Sequence, residues 1–127
     1  MAVQTNAALP DGIEIGGYRI VKKIAVGGFS IVYLAEDNAG NSVAIKEYMP
    51  AQLAARVGLK TVSVRSVHHR ETFDAGLRSF INEARLLAQF KHPALVEVFR
   101  FWEENQTAYL VMPYYDGQTL KHFLTAN

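Results

Sequence analysis

The stretch Ser42–Tyr48, S-V-A-I-K-E-Y, decides the fold. It is short, apolar and rich in β-branched residues, which marks a strand. Strand alternation puts Ala44, Lys46 and Tyr48 on one face and Val43, Ile45 and Glu47 on the other. A lysine among Ala, Ile and Val is costly to bury without an anionic partner. Two readings stay open from the stretch alone. Lys46 can be a solvated guard on an edge strand, or a cation aimed at a partner supplied from elsewhere in the chain.

Upstream, Tyr18–Val26 and Ser30–Glu36 alternate as strands and are separated by Gly27-Gly28. Asp37–Asn41, D-N-A-G-N, has the composition of a hairpin loop. The first fifty residues therefore read as an antiparallel meander, to which Ile13 and Ile15 can add a short strand before Gly16-Gly17. Residues 1–12 read as a flexible N-terminus, with a turn at Leu9-Pro-Asp-Gly12. They show neither the basic region nor the apolar region of a secretory leader.

Downstream, Met49-Pro50 ends the run. Ala51–Arg56 suggests a helical turn or two, and Thr61–Val67 a short strand. Asp74 is a candidate N-cap for the helix Leu77–Phe90, in which Leu77, Phe80, Ile81, Ala84, Leu87 and Ala88 recur at helical spacing. Glu83 lies roughly 100° from the centre of that apolar face, near Leu87, where a carboxylate can reach a lysine on the sheet. Lys91-His92-Pro93 stops the helix. Leu95–Trp102 and Thr107–Pro113 read as two further strands joined by the polar loop Glu103–Gln106. Asp116-Gly117 is a turn, and Thr119–Leu124 opens another helix. The expected class is α+β: a five-stranded antiparallel sheet covered by one long helix.

Composition bounds the function. The chain of 127 residues suits one compact domain, and 13 basic against 12 acidic residues give a net charge of +1. That balance offers no support for a nucleic-acid partner. The absence of cysteine excludes disulfides and thiolate metal sites. His68, His69, His92 and His122 form no metal-ligand spacing with any carboxylate pair and read as loop or surface residues. No apolar run reaches about 18 residues, so a cytoplasmic domain without a membrane segment is the expectation.

Ile24–Val32, I-A-V-G-G-F-S-I-V, is a glycine-rich turn between two strands. Such a turn can lay backbone N–H groups against phosphate oxygens. No helix follows it, so it is neither a dinucleotide-binding turn nor a Walker loop. Taken singly, it is also an ordinary hairpin. Together with other motifs it resembles the glycine-rich loop of protein kinases, and Val43-Ala44-Ile45-Lys46 resembles their V-A-I-K strand. Phe80–Ala84, F-I-N-E-A, is similar to the helix that carries their lysine-pairing glutamate. His92-Pro93 is similar to the dipeptide after that helix, and Tyr109–Gly117 to the last strand and hinge. The wording is most like bacterial serine/threonine kinases.

The resemblance implies roles. Lys46 would hold the α- and β-phosphates of ATP, and Glu83 would hold Lys46. Gly27, Gly28, Ala25 and Ser30 would belong to the phosphate loop. Ile24, Val32 and Ala44 would line the adenine pocket, with Met112 at its back. The Pro113 carbonyl and the Tyr115 N–H would bind the adenine edge. Two glycines of G-x-G-x-x-G are replaced, by Ala25 and Ser30, which predicts restricted positive φ and altered phosphate contact. No H-R-D-x-x-x-x-N, D-F-G or A-P-E occurs; His69-Arg70-Glu71 is the nearest string. Those motifs supply the base and the magnesium ligands.

The expectation is therefore the amino-terminal lobe of a serine/threonine kinase, residues 13–127, ending just after the hinge. ATP would be its ligand. Magnesium ligands and protein-substrate contacts would lie in a missing carboxy-terminal lobe, and the isolated lobe would self-associate. A stand-alone kinase-like lobe, acting as a non-catalytic protein-interaction or nucleotide-binding module, is the alternative.

Overall fold

The computed structural model describes residues 7–89 and 100–114. Its elements are β1 (Glu14–Ile15), β2 (Tyr18–Val26), β3 (Ser30–Glu36), β4 (Ser42–Tyr48), β5 (Ala54–Val57), β6 (Thr61–Val64), a single 3-10 turn (Val67–His69), α1 (Arg70–Gln89), β7 (Arg100–Glu104) and β8 (Thr107–Pro113). Six strands form one antiparallel sheet in the order β1-β2-β3-β4-β8-β7, and β5 pairs only with β6. The strand of the opening stretch, β4, lies at the centre between β3 and β8. That position excludes the edge-guard reading of Lys46.

Local chemistry sets the turns. The Asp37 carboxylate accepts from the backbone N–H groups of Ala39 and Asn41 at 2.9 Å each, which closes the β3–β4 loop. These bonds, that to the Asn41 amide foremost, hold the Asp37 carboxyl below its usual range. Asn105 and Gln106 both take positive φ, 59° and 63°, and make the two-residue turn between β7 and β8.

The sheet curls until its two ends touch. Arg100 on β7 donates to the Gly16 carbonyl at 2.6 Å, and the Tyr18 and Trp102 rings stack at 5.9 Å. Gly16 has φ +57°, and a Cβ there would stand 2.2 Å from the Trp102 ring, so only glycine fits. Inside the curl lie Ile20, Tyr33, Ile45, Tyr109 and Val111, closed off by Leu9, Ala54 and Val62. On the other face Val32, Ala44, Leu110 and Met112 pack with Ala84 of α1.

Several sequence expectations need correction. The sheet has six strands rather than five, because Glu14–Ile15 pairs with Tyr18–Arg19 and is retained as β1. Ala51–Arg56 is not helical: Ala51–Leu53 turn and β5 starts at Ala54, since Ala54 and Val62 are buried together. The strand expected at Thr61–Val67 stops at Val64. Asp74 is no N-cap. The Ser66 side chain caps the 3-10 turn, which runs straight into α1, and Phe73 adds an earlier buried turn to the apolar face. Asp74 instead pairs with Arg70 at 3.2 Å. The loop expected at Glu103–Gln106 shrinks to Asn105-Gln106, because pairing continues through Glu104↔Thr107. Packing into the core also reaches back into the expected flexible N-terminus: Leu9 is buried, and its N–H donates to Tyr33 at 2.9 Å. The helix stop at Lys91-His92-Pro93, residues 95–99 and everything from Tyr115 onward lie outside the described residues.

Candidate nucleotide site

The glycine turn is pinned from below. Gly27 N–H donates to the Ser30 carbonyl at 2.8 Å, while the Phe29 and Gly28 carbonyls accept from Met49 and Ala51 at 2.8 and 3.2 Å. The N–H groups of Gly28 and Phe29 have no acceptor among the described residues. Phe29 is 74% exposed at the tip. Neither Gly27 nor Gly28 takes positive φ, and Ala25 and Ser30 lie within β2 and β3. The strain expected from a Cβ at Ala25 and Ser30 is therefore absent, because the turn uses no left-handed glycine.

Beneath the turn is an open cleft of about 470 Å³. Phe29 and Ser30 form its roof, Lys46 and Tyr48 of β4 its floor, and Gly76, Phe80 and Glu83 of α1 its far wall. Lys46 is half-buried and Glu83 exposed. The two line one cleft, but no ion pair joins them: among the described residues the ion pairs are Arg19–Glu36, Glu47–Arg56 and Arg70–Asp74. Ile24, Ala25, Val32, Ala44 and Met112 meet in one apolar cluster beside the cleft. The register explains this: Ala25 faces Val32 across one ladder and Ala44 faces Met112 across another. Pro113 pairs with Val43 at the end of β8. Tyr115 lies outside the described residues.

Sequence reasoning missed a second charged constellation on the opposite face of β4. Glu47 is 0% exposed, and both its carboxylate oxygens are filled. Oε1 accepts from Tyr33 at 2.8 Å and Arg56 Nη2 at 2.7 Å, and Oε2 from Arg56 Nη1 at 2.9 Å and Tyr109 at 3.0 Å. Arg56 continues to the Ala7 and Lys60 carbonyls. Burial, reinforced by the Glu47 charge, pushes the Tyr33 and Tyr109 phenols above their ordinary range. The signal was present: alternation puts Glu47 on the face of Val43 and Ile45. The partner Arg56 was hidden in a segment read as helical.

Residues 18–127 match the family model described as protein kinase domain. The chain belongs to that family. Serine/threonine-protein kinase PrkC of Bacillus subtilis (strain 168) is 32% identical over 112 residues, 88% of this chain and 15% of that protein. A probable serine/threonine-protein kinase, pknA2 of Bifidobacterium longum (strain NCC 2705), is 38% identical over 112 residues, 87% of this chain and 13% of that protein. Among solved structures, the apo form of PpkA-294 matches at 48% identity with a TM-score of 0.82, over 87% of this chain and 40% of that one. The chain thus spans only a minor part of each relative's length. Within it, β4 carries the V-A-I-K segment and α1 the F-I-N-E-A segment. Among the described residues, no helix is long and apolar enough to cross a membrane.

Proposed function

We propose that residues 13–127 form the ATP-facing lobe of a bacterial-type serine/threonine protein kinase, in a cytoplasmic domain. The whole protein would transfer the γ-phosphoryl of ATP to a serine or threonine hydroxyl of a protein substrate. The observation that carries this reading is Lys46. It stands on the central strand and faces a cleft roofed by the glycine turn, with Glu83 on the far wall. A cation there meets the phosphates as a point charge, and the free N–H groups of Gly28 and Phe29 can add to it. Ile24, Val32, Ala44 and Met112 offer an apolar bed for the adenine. Glu83 would orient Lys46 once a polyanion draws the lysine across the cleft.

Magnesium would screen the phosphate charge during transfer. Among the described residues no group of three His, Asp or Glu could hold that ion. The sequence likewise contains no kinase base motif. By themselves the 127 residues would bind nucleotide without transferring phosphate. An open cleft excludes little water, so these residues alone should bind ATP more weakly than micromolar.

Titration with ATP, followed by amide shifts, tests this. Gly27, Gly28, Lys46 and Met112 should move, and Lys46→Ala should abolish the movement; an unchanged response in that variant sinks the reading. The isolated lobe should also self-associate through the surface a second lobe would cover. A constant mass of 14.1 kDa across a concentration series removes that part.

A further inference from the structure

The contact between α1 and β4 is unusually close at one point. Tyr48 donates its hydroxyl to the Phe73 carbonyl at 2.9 Å, and its ring packs on Phe73 and Phe80 with centroids at 5.1 and 5.8 Å. Its own carbonyl accepts from Thr107 at 2.5 Å, which ties the same residue to β8. The helix meets this ring with Gly76. A Cβ at Gly76 would stand 2.2 Å from the Tyr48 oxygen and 3.1 Å from Cζ. The hydroxyl cannot retreat without giving up Phe73. Any side chain at position 76 must therefore displace the Tyr48 hydroxyl or push the helix away from the strand, and either movement strains the bond to Phe73, which is itself on α1. Glycine is otherwise a poor choice inside a helix, so the contact accounts for its presence.

The same two elements carry the candidate nucleotide residues. Lys46 precedes Tyr48 by two residues on the same strand face. Glu83 follows Gly76 by seven residues, two helical turns, on the same stripe. All four line one cleft. The seat at Gly76 and Tyr48 therefore fixes the width of the cleft that Lys46 and Glu83 must span.

We propose that Gly76 and Tyr48 are positioning residues, which set how close α1 lies to β4 and thereby whether Glu83 can reach Lys46. Neither needs to touch the nucleotide. The geometric part stands on the contact alone; its consequence for ligand binding rests on the nucleotide reading above.

The test exploits the absence of cysteine. Spin labels on Ser42→Cys and Asn82→Cys, both exposed sites, report the strand-to-helix distance in the full chain. Gly76→Ala should lengthen the mean distance by roughly 1 Å or more, the amount needed to restore ordinary contact. Adding Tyr48→Phe removes the clashing oxygen and should return most of it. ATP affinity should fall about fivefold or more in Gly76→Ala, a modest coupling between sites, and recover in the double variant. A role in stability alone would not give that rescue pattern. Unchanged distance in a folded Gly76→Ala protein overturns the proposal. If that variant does not fold, Tyr48→Phe alone decides: a broadened distance distribution supports the seat, and an unchanged one overturns it. A shifted distance in a chain that never binds ATP sinks the nucleotide reading and leaves the seat supported.

Discussion

Lys46 and Glu47 are neighbours on one strand and live in opposite physical worlds. Glu47 points into the curl of the sheet, with four donors on its two oxygens and no exposure. Lys46 points into an open cleft, half-buried, with no ion pair among the described residues. Both are charges on an apolar strand, and chain alternation alone separates them. The inner charge has every acceptor committed and nothing left to give a ligand. The outer charge keeps its donors available. A buried ion with every acceptor filled is costly to break and offers a ligand nothing, whereas a half-buried one with free donors is available for binding.

Breaking the inner side should have the largest effect. Arg56→Met leaves the Glu47 carboxylate buried with only two phenols as donors. Stripping one partner from a buried pair costs about 3–5 kcal/mol, so urea denaturation should show a loss of that size, while a loss below about 1 kcal/mol would dissolve the structural half of the comparison. Gly16→Ala attacks the same interior from the rim. It adds an unfavourable left-handed conformation of about 1–2 kcal/mol to a collision with Trp102. Overpacking adds a similar cost, so about 2–4 kcal/mol should be lost by the same assay.

Alkali probes the inner network without mutation. The Tyr33 and Tyr109 phenols are raised from the ordinary value of 10.0. A raised folded pKa gives stability that is complete below pH 10 and is lost as pH rises, because the unfolded chain releases its protons first. Each phenol contributes a slope of about 1.4 kcal/mol per pH unit in that window. Stability measured by denaturant at pH 9, 10 and 11 should fall mainly beyond 10, and Tyr33→Phe should make the slope shallower without abolishing it, since the Tyr109 and Tyr48 phenols are raised too. A flat profile would mean that these phenols ionise as freely in the fold as in water.

The central strand, the glycine turn and the order of the main elements were legible in the sequence because alternation and glycine position are local signals. Lys46, Ile24, Val32, Ala44 and Met112 could be grouped only through the kinase resemblance, because Met112 meets Ala44 across the long-range ladder between β4 and β8. The segment between Pro50 and Thr72 was legible only in the strand that begins at Thr61. Its hairpin, β5–β6, earns its strands from Ala54 and Val62 packing under the curled sheet and from Arg56 reaching Glu47, and such long-range partners leave no trace in local pattern. The Gly76 contact was hidden for a related reason. A glycine in a helix reads as a propensity defect until the tyrosine that needs the space is in place.

The smallest effect should come from the outer charge, and it sharpens the comparison most. Lys46 faces Val32 on β3 and Leu110 on β8, both buried apolar residues. Methionine has nearly the reach of lysine's stem and suits those neighbours. Lys46→Met removes no ion pair seen among the described residues and leaves no buried group unsatisfied. The denaturation midpoint should therefore move little, within about 0.5 kcal/mol. Under the nucleotide reading, the ATP-dependent amide shifts should vanish in the same variant. A stability loss of about 2 kcal/mol or more, the size expected for breaking a buried network, would place Lys46 in the same class as Glu47 and end the distinction between the two faces of β4. Unchanged stability with lost binding would show that one strand carries its structural charge and its binding charge back to back.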